Sequence, residues 1–415
     1  MMRKQSKQLL AVGVGMLMAS AVPQLQAAGF YLKEQSIVSQ GQAFSGVAAQ
    51  SGIASATYFN PAGLATIDQT SVETGLHMIL TNQEVNGSAS NALLGNSNTS
   101  TQEPLDSLIA IPNLFWSMPV DDYVVGLGVN APFGSKNSYD SDYFGRFDHV
   151  SADLKTVDYT VALSKQLTEQ LRVGGSIYYQ TLEVEQSKIA ATAQQSTLKG
   201  DADDVGFSLG VQYVASPSTV VGLSHRSGTT QGVSGTNSIV GAGLIPENVY
   251  QATATMELPS ITSLGIEHAV DQRNDLYLGI THYNWSVYDT LIVNTTGIGS
   301  SSTVNNYQDT TSYSVGLNHR YSDDLELRGG IHYDPTPTDD ANRSHSTPDG
   351  DRTWLSFGGS KTVSNDLVVD FAYSYIHADD AMISKAVGAG ATSHTVTSTT
   401  DTSHNIFSIG LRKTF

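Results

Sequence analysis

From about residue 70 to the end of the chain, apolar and polar positions alternate one for one in runs of roughly ten residues. Leu367, Val369, Phe371, Tyr373 and Tyr375 fall on one face, with Asp370, Ala372 and Ser374 on the other. Leu325, Leu327, Ile331 and Tyr333 oppose Glu326, Arg328, His332 and Asp334. Tyr123, Val125, Leu127 and Val129 oppose Gly126, Gly128 and Asn130. Phe207, Leu209, Val211 and Tyr213, and again Tyr313, Val315 and Leu317, repeat the pattern. Period-2 alternation predicts strands with one face buried or in lipid. The polar faces carry Arg, Glu, Asp and His at mid-strand, which fits either a soluble sandwich or a polar lumen.

The connections separate these readings. Short turns are predicted at Asp121-Asp122, Thr168-Glu169, Ser216-Pro217, Asp271–Asn274, Ser322–Asp324 and Ser364–Asp366, and long polar loops near 87–105, 132–153, 187–202, 232–249, 291–304, 335–350 and 381–400. The two classes alternate. Short periplasmic turns and long outer loops are the asymmetry of an outer-membrane barrel. Six turns and seven loops join fourteen strands, with both barrel ends on the periplasmic side. In the last strand Phe407, Ile409 and Leu411 alternate with Ser408, Gly410 and Arg412, and Phe415 ends the chain. A terminal aromatic there resembles the insertion signal read by barrel-assembly machinery. The expected fold is all-β: a 14-stranded antiparallel transmembrane β-barrel.

The leading residues place this barrel outside the cytoplasm. Arg3, Lys4 and Lys7 precede an apolar run from Leu9 to Val22, and Leu25-Gln26-Ala27 resembles a cleavage site. Residues 1–27 therefore read as a signal peptide, since the run is shorter than the ~20 residues of a spanning helix. Losing the three basic residues takes the formal charge from −18 to −21. So acidic a product is a poor nucleic-acid binder. With no cysteine there is neither a disulfide framework nor a thiolate metal site. No cofactor is expected. Residues 28–69 break the alternation: they are rich in Gly, Ala, Ser and Gln, with Phe30, Phe44 and Phe59 spaced through them. Those apolar residues need something to bury them, which favours an N-terminal hatch plugging the lumen over a free tail. The domain plan is 1–27 signal peptide, 28–69 hatch and 70–415 barrel.

Several motifs carry a resemblance. Ala28-Gly29-Phe30, Gly41-Gln42-Ala43-Phe44-Ser45-Gly46 and Asn60-Pro61-Ala62 look like the N-terminal hatch of the FadL family of outer-membrane long-chain fatty-acid transporters. Pro132-Phe133-Gly134 with Gly145-Arg146-Phe147 extends the match. So does Asn342-Arg343-Ser344 followed by Pro348-Asp349-Gly350-Asp351-Arg352-Thr353-Trp354. The resemblance implies a monomeric, hatch-gated channel for hydrophobic compounds, set in outer-membrane lipid and lipopolysaccharide. Its ligand would be a long-chain fatty acid or another hydrophobic molecule, leaving sideways through a gap beside a kinked strand. Arg146, with Phe133 and Phe147, is the implied ligand site, because a guanidinium pairs with a carboxylate in bidentate geometry. The alternative is a loop arginine paired with Asp140, Asp142 or Asp148. The family's second pocket lysine maps to Gln308 before Asp309, a change that suits a less acidic ligand such as an aromatic or aliphatic hydrocarbon. Asn60, Pro61 and Ala62, with Phe30 and Phe44, are the implied gating residues. Gly126, Gly128 and Pro132 are the candidates for the wall kink, with Pro259 as the competing site.

Other signals are weaker. Gly206-Phe207-Ser208-Leu209-Gly210 matches a nucleophile elbow but sits in a period-2 strand, where the motif needs a strand–turn–helix. No catalytic residues are assigned, and an outer-membrane hydrolase is the lesser reading. Asp349-Gly350-Asp351 is too short for a full calcium loop, so a solvated loop or an arginine network with Arg343 and Arg352 is expected there and no metal site is assigned.

Overall fold

The computed structural model describes residues 29–91, 96–105, 108–190, 194–388 and 393–415. The expected signal peptide and Ala28 lie outside them. Fourteen antiparallel strands close into a barrel. They are β1 (Ser71–Asn91), β2 (Asn96–Gln102 with Leu108–Val120), β3 (Tyr123–Asn130 with Gly134–Ser138), β4 (Ser151–Gln166), β5 (Leu171–Ile189) and β6 (Gln195–Ser216). Next come β7 (Thr219–Arg226 with Thr229–Val240), β8 (Asn248–Leu258 with Ile261–Ala269), β9 (Asn274–Tyr283 with Thr290–Thr295) and β10 (Gly299–Val304 with Thr310–Ser322). The last four are β11 (Leu325–Asp334), β12 (Arg352–Ser364), β13 (Leu367–Val387) and β14 (His394–Thr414). Each pairs with the next, and β1 pairs with β14 from Ser71↔Thr414 to Ser90↔Thr395. Closure leaves no backbone edge facing lipid, the condition for spanning a bilayer with strands.

Alternation sets the two faces. Leu76, Met78, Ile177, Phe207, Leu278, Phe357, Phe371, Phe407 and Ile409 project outward and are exposed, as lipid-facing side chains must be. Asp370, Ser374, His332, Ser356 and Ser408 point inward and are buried. All six short turns fall where their residues predict. Most of the predicted long loops differ: β1 and β2, β5 and β6, β13 and β14, and the outer parts of β9 and β10 continue as paired ladders beyond the apolar belt. Clear of lipid, such ladders have water on their outer side, so Ser, Thr and Asn replace the apolar alternation by which a strand is recognised. Irregular outer backbone is concentrated at 139–150 and 335–351.

Residues 29–67 lie against the inner wall and are mostly buried. They form two short helices, α1 (Ile37–Gly41) and α2 (Ala56–Phe59), and a 3-10 turn at Pro61–Thr66. Glu73 of β1 anchors them twice, accepting from the Ser36 hydroxyl at 3.0 Å and the Ser55 amide at 2.9 Å. The wall has been cut to receive the segment: a Cβ on Gly222 of β7 would fall 1.8 Å from the Ala48 carbonyl oxygen.

Candidate functional site

Proline lacks an amide donor and restricts the residue before it, so a ladder cannot run through one unaltered. At Pro132 the wall changes partner. β2 and β3 pair from Val120↔Tyr123 to Leu114↔Val129. Beyond that, among the described residues, the next backbone bond between them is the Leu105 amide to the Ser138 carbonyl at 2.9 Å. In between, β2 still pairs with β1, from Leu80↔Leu108 to Gly75↔Asn113, but its other edge has lost β3. The leading segment occupies the break. Tyr31 forms an antiparallel bridge with Phe133, the Leu32 amide donates to the Pro132 carbonyl at 2.7 Å, and the Gly134 amide donates to the Phe30 carbonyl at 2.9 Å. Leu32 packs with Ile109 and Ile111 of β2 and with Ala131.

Of the kink candidates, only Pro132 lies at this break. Gly126 and Gly128 sit in regularly paired strand, opposite Ser117 and Phe115. Their missing side chains leave room for Thr57 and Leu64. Pro259 lies at an interruption of β8, where the β8–β9 ladder is also reduced.

An aromatic cluster backs the break. The Phe30 ring lies 6.0 Å from Phe133, 4.9 Å from Trp285 and 5.1 Å from Tyr288. Tyr307 packs on Trp285 at 5.7 Å. Edge-to-face pairs of this kind favour a defined arrangement over a loose one. Lys33 enters beside it. Its ammonium donates to the Tyr283 hydroxyl at 2.8 Å and reaches Asp334 at 3.0 Å. Burial pulls the Lys33 ammonium down, with Asp334 opposing. Burial likewise pushes the neighbouring Glu34 carboxyl up to about 7. Below, Arg226 of β7 pairs with Asp158 of β4 and covers the Tyr178 ring at 3.4 Å.

The remaining sequence candidates are scattered. Asn60 is a hub: its Nδ2 donates to the carbonyls of Ala48 at 2.6 Å and Val211 at 3.2 Å, and its Oδ1 accepts from the Ala62 amide at 3.0 Å. Pro61 opens the 3-10 turn. Phe44 packs edge-on to Trp354 at 5.8 Å. Arg146 donates to the carbonyls of Asp142 at 3.0 Å and Tyr143 at 2.8 Å and covers the Phe147 ring at 4.5 Å, while Phe147 stacks on His394. Thus Arg146 closes its own 3-10 turn (Phe144–Phe147). Gln308 is exposed and donates to the Asn306 carbonyl at 3.0 Å. Its neighbour Tyr307 takes the inward position.

Asp349 receives Arg352 and the Gly29 amide at 3.0 Å, and its carbonyl accepts from Arg343 at 2.6 Å. Of the two alternatives for this stretch, the arginine network is the one formed, and through the Gly29 amide it holds the start of the described chain. No group of three or more His or acidic side chains placed to hold a metal occurs among the described residues. Sequence reasoning missed Lys33, Trp285 and Tyr288. Lys33 left a signal, as the only basic residue between Ala28 and Thr70.

Residues 18–415 match the family model described as outer membrane protein transport protein (OMPP1/FadL/TodX). Outer membrane protein P1 of Haemophilus influenzae is 26% identical over 421 residues, spanning 90% of each chain. The long-chain fatty acid transport protein of Escherichia coli strain K12 is 23% identical over 92% of this chain and 94% of that protein. Among solved structures, a Pseudomonas aeruginosa FadL homologue superposes with TM-score 0.86 at 20% identity, over 93% of this chain and 99% of that one. The Pseudomonas putida toluene transporter TodX superposes with TM-score 0.70 at 17% identity, over 92% and 99% of the two chains. These likenesses establish the shared barrel.

Proposed function

The chain belongs to the outer membrane protein transport family (OMPP1/FadL/TodX), and from that membership we propose that it takes up long-chain fatty acids by release of residues 28–69 and lateral exit beside Pro132. Family membership already makes it an outer-membrane transport channel and not an enzyme. Substrate class, gating and exit route are the further reading.

One observation carries it. The β2–β3 ladder is open from Asn113 outward, and Phe30, Tyr31 and Leu32 fill the opening with their own backbone bonds. A plug held by a few hydrogen bonds and apolar contacts can be displaced by a ligand that replaces those contacts. Burying an acyl chain in the Phe30 cluster supplies roughly 0.8 kcal/mol per methylene. The exit then leads into the bilayer, so the tail never crosses water.

The test uses the absence of native cysteine. Tyr31 and Phe133 face each other as a non-hydrogen-bonded pair, the geometry in which Cα atoms approach to ~4.5 Å and a disulfide fits. Tyr31→Cys with Phe133→Cys, oxidised, should abolish growth on oleate in a strain lacking its own transporter. Reductant should restore it to the level of the single variants. Growth that continues with the cross-link formed rejects this gate.

A second reading is favoured by the Phe30, Phe133, Trp285 and Tyr307 rings. It is passage of aromatic hydrocarbons. Growth of the same strain on toluene but not oleate selects it.

A further inference from the structure

The inner faces of β5 to β8 change chemistry along their length. On β5 the inward positions run Leu182, Val184, Gln186, Lys188 toward the outer end, while Glu183 and Glu185 turn outward and pair with Lys155 and Lys199. Val233 of β7 and Ala254 and Met256 of β8 continue the apolar strip beside them. Two hollows follow this strip and share Gln186, Leu198, Leu291 and Val293 in their walls. The outer cavity is about 480 Å³ and Lys188 lines it. The inner one is about 60 Å³ and is walled by Val184, Val233 and Met256. Val233 and Met256 also belong to the cluster that holds Phe30, Phe133 and Trp285.

Lys188 is half-buried and no carboxylate among the described residues pairs with it. The other lysine of this cavity, Lys385, is held by Asp148 at 3.1 Å. A carboxylate does not enter a dry pocket unpaired. From Lys188 to Leu182 is about 20 Å along a strand, the length of a long acyl chain.

We propose that this strip seats a long-chain anionic amphiphile, with its carboxylate on Lys188 and its tail running inward over Val184 and Met256 to the Phe30 cluster. The assignment rests on the fatty-acid reading above and names its head-group partner, a place that the Arg146 guanidinium, spent on its own turn, does not fill.

The test compares radiolabelled oleate with oleyl alcohol, on the purified full-length chain in detergent. Heat-modifiable migration on gels controls for folding. Lys188→Ala should weaken oleate about tenfold and leave oleyl alcohol unchanged, while Lys188→Arg keeps oleate binding. Ala254→Phe, narrowing the strip, should weaken both probes. The proposal falls if Lys188→Ala leaves oleate untouched, or if it weakens both probes equally. Wild-type protein that binds the alcohol as tightly as the acid also overturns it. Wild type that binds neither probe removes the fatty-acid reading and this assignment together. Oleate binding indifferent to position 188 removes only the assignment.

Discussion

Lys33 and Asp334 meet at 3.0 Å inside the barrel, their side chains 3% and 0% exposed. They tie the leading segment to the outer end of β11. Removing one partner of a buried pair strands the other charge, at a cost of roughly 3–5 kcal/mol, whereas replacing both with apolar residues is nearly neutral. Lys33→Met should therefore loosen residues 29–36 and raise single-channel conductance to small ions in planar bilayers. Lys33→Met with Asp334→Leu should return it to the wild-type level. Equal conductance in the single variant and the wild type would show that the pair does not hold the segment.

Glu34 makes the seating of that segment depend on pH. Burial pushes its carboxyl up to about 7, against the favourable charges of Lys33 and Arg352. Below the ordinary glutamate range the group is neutral whether the segment is seated or free. Between about 4.5 and 7 the free segment releases a proton that the seated one keeps, so seating weakens as pH rises, and the loss levels off above 7. Over that window it amounts to about 3 kcal/mol. Hydrogen exchange of amides 30–36, corrected for intrinsic rates, should show opening that grows from pH 4.5 to 7. Glu34→Gln should flatten the profile; a slope that survives it assigns the effect elsewhere.

Gly222 tests the fit from the wall side. Its absent side chain admits the Ala48 carbonyl, and backbone cannot rotate away as a long side chain can. Gly222→Ala should cost roughly 1–3 kcal/mol of overpacking, paid in the docking of residues 29–67 and not in strand pairing. Limited proteolysis should cut the segment faster while the barrel stays resistant and heat-modifiable.

The chain ends on Phe415, whose amide donates to the Thr70 carbonyl at 2.9 Å while its ring is 65% exposed. So exposed a ring adds little to the folded barrel. Deleting Phe415 should lower the amount of folded protein reaching the outer membrane several-fold and leave the melting temperature of the folded fraction nearly unchanged. A matching drop in melting temperature would make the residue a structural one.

The strand count was legible because five of the six short turns carry Asp, Asn, Ser or Pro, and because lipid enforces strict alternation over the belt. The site was only partly legible, for reasons that can be named. Glycine signals both weak strand and close approach, and at Gly126 and Gly128 the second meaning applies. Pro132, which removes a donor outright, was the better sign. At 307–308 the parity is set by Asn306, whose backbone lies in the left-handed region at φ 47°, so Tyr307 turns inward and Gln308 outward. Lys188 was hidden among residues read as loop, since β5 runs on past the apolar belt by which strands are recognised.

The ring that joins β1 to β14 has a consequence for biogenesis. Residues 29–67 are made before any strand, yet Asn60 donates to carbonyls of β6 and β7, the Ala48 carbonyl accepts from Gln212 of β6, and Gln40 reaches Ser374 on β13. The partners of Gln40 lie on strands made late, so the seat of the segment is complete only once β13 and β14 are in place. Closing the wall and completing the seat of the leading segment are therefore coupled, since the same last strands serve both.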